Sequence, residues 1–519
     1  MRIVIKTTLV FVFCAFHFHL LFGQNSPFIG RVVDSQSDLS IPFATIRIKS
    51  KMLGVFSNAN GYFQIPEKYS NVADSLVISC IGYSTKTVAF EDLHQSAFNL
   101  IKLAPSITDL QEVVIKPKRS GGLSASRIVR QAIKNIAVNY PQEPFSYIGY
   151  YRDYQMIDTN YLNLNEAIIE VYDRGFGSYD FVETSIELYQ FLQNTDFPID
   201  TTTTKPYDNK PAKYGRGENK YIPNGLLSPV GGSELSILRL HDAIRNHDRF
   251  SFSYIEVFQK DFENNHFLKL EEDVNLDKVP LYCISFRSKF DASGPINYSE
   301  GKLYIEKNSF AIHKMEYSTY NKSMKGDQLM YSIETEYARV GSKMHLNYIS
   351  FNNGFKTHND TDFKVIRISY DEAQKAFVLD LNSIPEPISV SDKANFKLTL
   401  GDSLLGIQSA QLTGELQVTL ILNDESAAYV EKNKPDLSSK LVMKADNVRD
   451  LKNRELDEST STTVFQFREL FVQKVFPGKV APLDGIFLDK IAPISKGTVS
   501  GNLEEKETYW MNSPLKGKQ

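Results

Sequence analysis

Cysteine is scarce: Cys14, Cys80 and Cys283 are the only three in 519 residues. That excludes a Cys-x-x-Cys motif and a disulfide framework, and leaves Cys80 and Cys283 to be read as two buried thiols in separate strands. Charge of one sign is missing as well. Lys and Arg total 58 against 62 Asp and Glu, evenly mixed, so there is no electrostatic footprint for nucleic acid. Beyond the first 23 residues no stretch approaches the ~20 uninterrupted apolar residues of a membrane helix. Also absent are a GxSxG elbow, a P-loop, a GxGxxG opening a helix after a strand, and an HExxH pair.

The first 23 residues carry Arg2 and Lys6, then a mostly apolar run from Leu9 to Phe22 that ends at Gly23. This is the pattern of a secretory signal peptide, residues 1–23, with the mature chain starting near Gln24 and exported from the cytoplasm. Cys14 follows the bulky Phe13, which argues against lipidation there. The ~500 remaining residues, at roughly 150 per domain, make about three domains.

Residues 28–103 are the most specific stretch. Ala44, Ile46 and Ile48 alternate with Thr45, Arg47 and Lys49, the period of two that buries one strand face. Asn60-Gly61 between apolar runs is expected to close a two-residue hairpin. Leu76, Ile78 and Cys80 face one way and Val77 and Ile81 the other, predicting a strand buried on both sides. The successive blocks Gly30-Arg31-Val32-Val33-Asp34, Ile41-Pro42-Phe43-Ala44-Thr45-Ile46, Asn58-Ala59-Asn60-Gly61-Tyr62-Phe63 and Ile78-Ser79-Cys80-Ile81-Gly82-Tyr83 resemble the carboxypeptidase-regulatory-like domain. The resemblance implies a non-catalytic, seven-stranded, transthyretin-like β-sandwich of the Gram-negative cell envelope, found among others in TonB-dependent receptors. Glu112-Val113-Val114-Ile115 is similar to the short motif that follows this domain in those receptors near the energy-coupling box; a last edge strand or an extended linker is the preferred reading.

The expected fold class is mainly β (α+β): the sandwich over 24–104, a Pro- and Gly-containing linker over 105–122, and a larger antiparallel body with a few short helices over 123–381. A polar β-containing C-terminal region occupies 382–519, and 24–104 and 123–519 are expected to fold separately. Ser124 can cap a helix carrying Ile128, Val129, Ala132, Ile133 and Ile136 up to Pro141. Phe145 to Ile157 and Tyr161 to Tyr172, around Asp158-Thr159-Asn160, read as a hairpin whose Arg152, Glu166 and Glu170 are taken as surface charges. Residues 194–232 form a polar loop, read as disordered, and a short helix with Ile237, Leu240 and Ile244 follows Ser233. Strands are expected at 281–286, 301–306 and 311–317, a hairpin at Asn353-Gly354, and a last strand over Thr463 to Phe476. The block GKLYIEKNSFAIHKMEYS resembles the strand repeat of LolA/LolB-type lipoprotein-carrier half-barrels, whose curved sheet holds acyl chains. Tyr282, Phe286, Tyr304, Ile312 and Tyr317 would then line an apolar groove; ordinary core is the preferred reading of the same residues.

His313 and Glu316 have zinc-ligand spacing with His345 as a third candidate, but residues three apart on a strand point to opposite faces. They are read as no metal site, and His241 and His247, six apart, as exposed residues near a helix end. No catalytic, cofactor-binding or metal residue is assigned, and no cofactor is expected. The functional expectation is a non-enzymatic, periplasmic or outer-membrane-associated protein, with an outer-membrane or periplasmic protein partner or a lipid or glycan ligand, and no nucleic acid. The alternatives are a TonB-dependent outer-membrane receptor or transport component, against which the polar run 424–458 interrupts any barrel repeat, and a secreted metallocarboxypeptidase-like hydrolase.

Overall fold

The computed structural model describes residues 27–106, 123–204, 220–221, 232–248, 262–358, 363–457, 461–501 and 508–514, less 50–52, 59, 72, 96, 159, 202, 277–278, 294–296 and 323–325. The expected leader, Glu112 to Ile115 and most of the polar loop lie outside the described residues. The fold is mainly β, with several antiparallel sheets and few short helices.

Seven strands build the N-terminal sandwich: β1 (Phe28–Asp34), β2 (Thr45–Ile48), β3 (Gly54–Phe56), β4 (Tyr62–Ile65), β5 (Ser75–Ser79), β6 (Lys86–Ala89) and β7 (Asn99–Leu103). They form two sheets, β4-β1-β7 and β3-β2-β5-β6. The period of two holds on β2, where Ile46 and Ile48 are buried and Arg47 is exposed. On β5, Leu76 and Ile78 are buried but Val77 only partly, so that strand meets a full core on one side instead of the expected two. Asn60-Gly61 closes no hairpin, because β3 and β4 belong to different sheets. The Asn58 carboxamide oxygen accepts from the Asn60 and Tyr62 amides, each at 2.9 Å. Gly61, at φ +78, turns the chain from one sheet to the other, a conformation that costs glycine little.

The body contributes β8 (Phe145–Ile157), β9 (Asn160–Asp173), β10 (Ser185–Gln193), β11 (Lys220–Tyr221), β12 (His266–Leu270), β13 (Val274–Leu276), β14 (Val279–Ser288), β15 (Asn297–Glu306), β16 (Ile312–Asn321), β17 (Gln328–Val340) and β18 (Lys343–His358). Then come β19 (Val365–Asp371), β20 (Ala376–Leu381), β21 (Phe396–Leu400), β22 (Ser403–Leu405), β23 (Ile407–Gly414), β24 (Gln417–Leu422), β25 (Leu441–Ala445) and β26 (Ser461–Pro477). The large sheet runs β10-β9-β8-β26-β18-β17-β16-β15-β14-β12. The expected hairpin β8–β9 is present, with Asp158 at φ 55 in its turn. Asn353-Gly354, by contrast, lies inside β18. The turn before it is Gly341-Ser342, with Val340 opposite Lys343. Asn353 is buried and its Oδ1 accepts from Arg468 Nη1 at 2.8 Å, so this Asn serves a neighbouring strand.

One face of the sheet is covered by the helices Ala125–Lys134, Ile136–Asn139, Glu234–Leu240 and Phe262–Asn265. Ser124 caps the first by accepting from the Arg127 amide, as its sequence predicts. Ile128, Val129, Ala132, Leu235 and Phe262 pack there with Ile284, Leu303, Met315 and Ile333. Ordinary core, not an open groove, is what this cover makes of the candidate groove residues. Phe286, Ile312 and Tyr317 are at most 3% exposed and Tyr282 packs at the margin. Tyr304, between the buried Leu303 and Ile305, faces the other way.

The chain divides into two compact units, one made of 1–209, 222–355 and 464–519, the other of 210–221 and 356–463. The break thus falls before β19, earlier than the polarity change expected near 381. The second unit holds the sheets β19-β20-β24-β23 and β22-β21-β25 around Phe377, Leu379, Leu398, Leu420 and Val430. Its helix Asp424–Lys432, capped by Asn423, accounts for the start of the charged run.

Candidate functional site

Within the first unit the sandwich and the large sheet share a core. Phe43 and Phe56 of the sandwich stack on Tyr348 of β18 with ring centroids 4.8 and 5.4 Å apart, and Phe56 also meets Phe471 of β26 at 5.7 Å. Such pairs contribute roughly 0.5–1.5 kcal/mol each beyond their area. Residues 508–514 lace this seam. The Asn512 Nδ2 donates to the Phe56 carbonyl at 2.9 Å, and its Oδ1 accepts from the Gln64 amide at 3.0 Å. The Gln473 Nε2 donates to the Trp510 carbonyl at 2.7 Å, and the Trp510 ring lies 4.9 Å from that of Tyr69.

Below the seam sits a buried polar layer. Arg152 Nε donates to Glu469 Oε2 at 2.5 Å, and the guanidinium lies 5.1 Å from the Phe471 ring centre and 5.5 Å from that of Tyr154. Burial works against the Arg152 charge, but Glu469 and the surrounding tyrosines outweigh it and raise its pKa further. Glu166 accepts from the Tyr150 hydroxyl at 2.5 Å and from Asn194 at 2.8 Å. Glu170 accepts from Ser146, Tyr189 and Lys479 at 2.5, 2.6 and 2.7 Å. Burial pushes its carboxyl upward, and these bonds more than compensate, leaving the pKa lowered. Arg152, Glu166 and Glu170 are therefore not surface charges; all three are fully buried. Their ion pairs are not made within the hairpin either: Arg152 pairs with Glu469 and Glu170 with Lys479, both more than 300 residues away in sequence.

Where the seam opens there is a cleft of about 210 Å³. Its walls are β2 and β3, the β17–β18 hairpin end and Val472 to Val475 of β26, and its polar members are Thr45, Arg47, Arg339, His345, Asn347, Gln473 and Lys474. β26 is irregular here, its register to β8 shifting between Val472 and Lys474, and such bulges re-aim side chains. Arg47 Nη2 donates to Asn347 Oδ1 at 3.0 Å, and Asn347 Nδ2 donates to Glu336 Oε1 at 2.6 Å. His345 is buried and held edge-on to Phe145 at 4.9 Å. Burial pulls its pKa down to about 4, so the ring is neutral at physiological pH.

The zinc-spaced residues do not converge. His313 Nε2 is 3.4 Å from Glu306 Oε2, whereas Glu316 pairs with Lys314 at 3.0 Å. His313 hydrogen bonding first, against some burial, holds the Glu306 pKa down to about 2. Among the described residues no three His, Cys, Asp or Glu side chains gather as metal ligands do. His241 is not exposed: it is 1% accessible and stacked 3.8 Å from Phe351, and burial lowers its pKa to about 3. His247 is half-buried. Cys80 and Cys283 are free thiols; Cys283 is buried as expected and Cys80 only partly by surface exposure, though its environment pushes the thiol up to about 12 through desolvation. A thiol so raised is a poor nucleophile. Near the first helices, Arg239–Asp180 and Arg245–Asp173 form buried ion pairs and Tyr337 donates to Asp242 at 2.7 Å. They enclose only about 20 Å³, room for little more than one water.

Of the cleft residues, the sequence offers only His345 as a site candidate, the third member of a zinc set read as no metal site. Arg47 carried a usable signal as the cation on the exposed side of an alternating strand. Gln473 and Lys474 carried none, since their placement depends on the bulge in β26.

No curated protein sequence matches the chain. Among solved structures, a LolA superfamily protein from Nitrosomonas europaea is similar at 10% identity, over 45% of this chain and 86% of that one, with a TM-score of 0.18. A DUF1329 family protein from Desulfovibrio piger is similar at 12% identity, over 44% and 86%, with a TM-score of 0.22. An outer-membrane lipoprotein-sorting protein domain from Vibrio parahaemolyticus is similar at 9% identity, over 44% and 86%, with a TM-score of 0.19. TM-scores this low do not establish a common fold. The N-terminal match is of another kind: residues 28–115 fit the family model of the CarboxypepD_reg-like domain, and that segment, with its two small sheets, is a carboxypeptidase-regulatory-like domain.

Proposed function

We propose that the protein is a non-enzymatic, exported protein of the cell envelope that holds a small polar ligand or a segment of a partner in the cleft at the sandwich seam. The observation that carries this reading is the cleft itself, a polar-lined opening at the margin of an interlocked interface with an apolar core. The export pattern of residues 1–23 and the carboxypeptidase-regulatory-like segment supply the envelope context. No described helix is long and apolar enough to cross a membrane, which leaves strand-based spanning open to experiment.

Mature protein recovered from the envelope fraction tests the reading. Ligand-observed NMR against a panel of short peptides and monosaccharides is expected to detect binding that Ala338→Trp, filling the cleft from β17, abolishes. Peptidase and glycosidase activity is expected to be absent. Stoichiometric zinc lost in His313→Ala, together with carboxypeptidase turnover, would replace this reading with the hydrolase one.

A further inference from the structure

We infer that the cleft selects a carboxylate-bearing ligand, the size of a monosaccharide acid or of the last residues of a peptide. This deepens the proposed function and rests on the cleft being the ligand site. The lining residues include three cations, Arg47, Arg339 and Lys474, and no Asp or Glu. Arg339 is balanced by Glu306 at 2.6 Å. Arg47 is steadied by Asn347, whose own carboxamide is held by Glu336. Lys474 has its ammonium 4.9 Å from the Phe476 ring. With Arg47 on one wall and Lys474 on another, the lining is positive on two sides, which suits a carboxylate. His345 adds a neutral polar side chain to the lining. It lines the cleft, is 3% exposed, and its Nδ1 meets no hydrogen-bond partner among the described atoms. A buried ring nitrogen without a partner costs stability, and a rotation of the ring that brought it to the cleft would let the neutral imidazole donate one hydrogen bond to a carboxylate oxygen.

The class of anion follows from what the walls lack. No described helix N-terminus lines the cleft, the feature that usually gathers backbone amides around a phosphate. Leu53, Phe56, Leu346 and Val472 supply apolar walls, which strengthen a single charge pair by excluding water. At about 210 Å³ the space is below the ~300–1,000 Å³ of drug-sized sites.

Calorimetry on the full mature chain decides it, with four probes in two matched pairs: D-galacturonate against D-galactose, and N-acetyl-Ala-Ala against its C-terminal amide. At least one acid is expected to bind at least tenfold more tightly than its neutral partner. Arg47→Gln and Lys474→Gln are each expected to weaken that acid about tenfold, and Lys474→Gln, which breaks no seam hydrogen bond among the described residues, is expected to leave the thermal midpoint in place. Whichever pair shows the difference tells a sugar acid from a peptide terminus. If a neutral probe binds as well as its acid and Ala338→Trp removes both, the carboxylate inference falls and the ligand cleft stands. Inorganic phosphate outcompeting every carboxylate would also overturn the inference. If no panel compound binds in a manner that Ala338→Trp abolishes, the cleft reading and this inference fall together.

Discussion

Arg152 and Glu469 stand opposite each other on β8 and β26, 317 residues apart in sequence, and close an ion pair at 2.5 Å with side chains about 1% exposed. Removing one member strands a buried charge, at a cost of about 3–5 kcal/mol. Arg152→Met or Glu469→Leu alone should lower stability by that order in urea titrations, and the double variant should recover much of the loss. Single variants within ~0.5 kcal/mol of wild type would show that the pair is hydrated.

Trp510 is the only tryptophan and sits at the seam between the sandwich and the sheet. Its emission should be blue-shifted in the native state and should report the seam. The shared core makes coupled unfolding of 24–104 with the large sheet the expected outcome, in place of the separate folding read from the linker. Trp510 emission and far-UV dichroism should therefore change at one denaturant midpoint. Phe56→Ala, which empties the seam, should lower that midpoint by about 3–5 kcal/mol of stability. An early emission change with the sheet intact would restore independence.

His241, His266 and His345 are buried, and burial lowers their pKa values to about 3, 4 and 4. Unfolded histidine titrates near 6.5, so between pH ~6.5 and ~4 the unfolded chain binds the extra protons. Their contribution is present above pH ~6.5 and is lost as pH falls. Asp153 and Asp242, raised by burial to about 7 and about 6, act in the opposite sense over much of the same range. The difference between variants is therefore the informative quantity. His241→Phe should flatten the stability slope from pH 6 to pH 4 by about 1.4 kcal/mol per pH unit; parallel wild-type and variant curves would contradict the buried neutral ring.

Gly301 on β15 faces the backbone of β16. A Cβ there would lie 1.9 Å from the Glu316 carbonyl oxygen and 2.5 Å from the Phe286 ring. Because the nearer obstacle is backbone, Gly301→Ala should destabilise by at least the ~1–3 kcal/mol of an overpacked core. A thermal midpoint unchanged from wild type would contradict this strand register.

Local chemistry was legible in the sequence. Alternation on β2, the Ser124 cap, the β8–β9 hairpin and the long strand ending near Phe476 follow from short-range sterics and hydrogen bonding, which a few neighbouring residues decide. Asn60-Gly61 and Asn353-Gly354 show the limit. The dipeptide marks conformational freedom, but whether that freedom makes a hairpin, a crossing between sheets or nothing depends on which strands lie on either side. Tertiary structure alone decided what covers each face. β26 enters the sheet between β8 and β18, and residues 508–514 lace the sandwich to it. These placements turned Arg152, Glu166 and Glu170 from expected surface groups into buried ones and gathered Arg47, His345 and Lys474 around one cleft, while the helices packed on the sheet buried His241 against Phe351 and made ordinary core of Phe286, Ile312 and Tyr317. Burial depends on the partner surface, and here that surface is brought in by contacts up to several hundred residues distant, which no local period encodes.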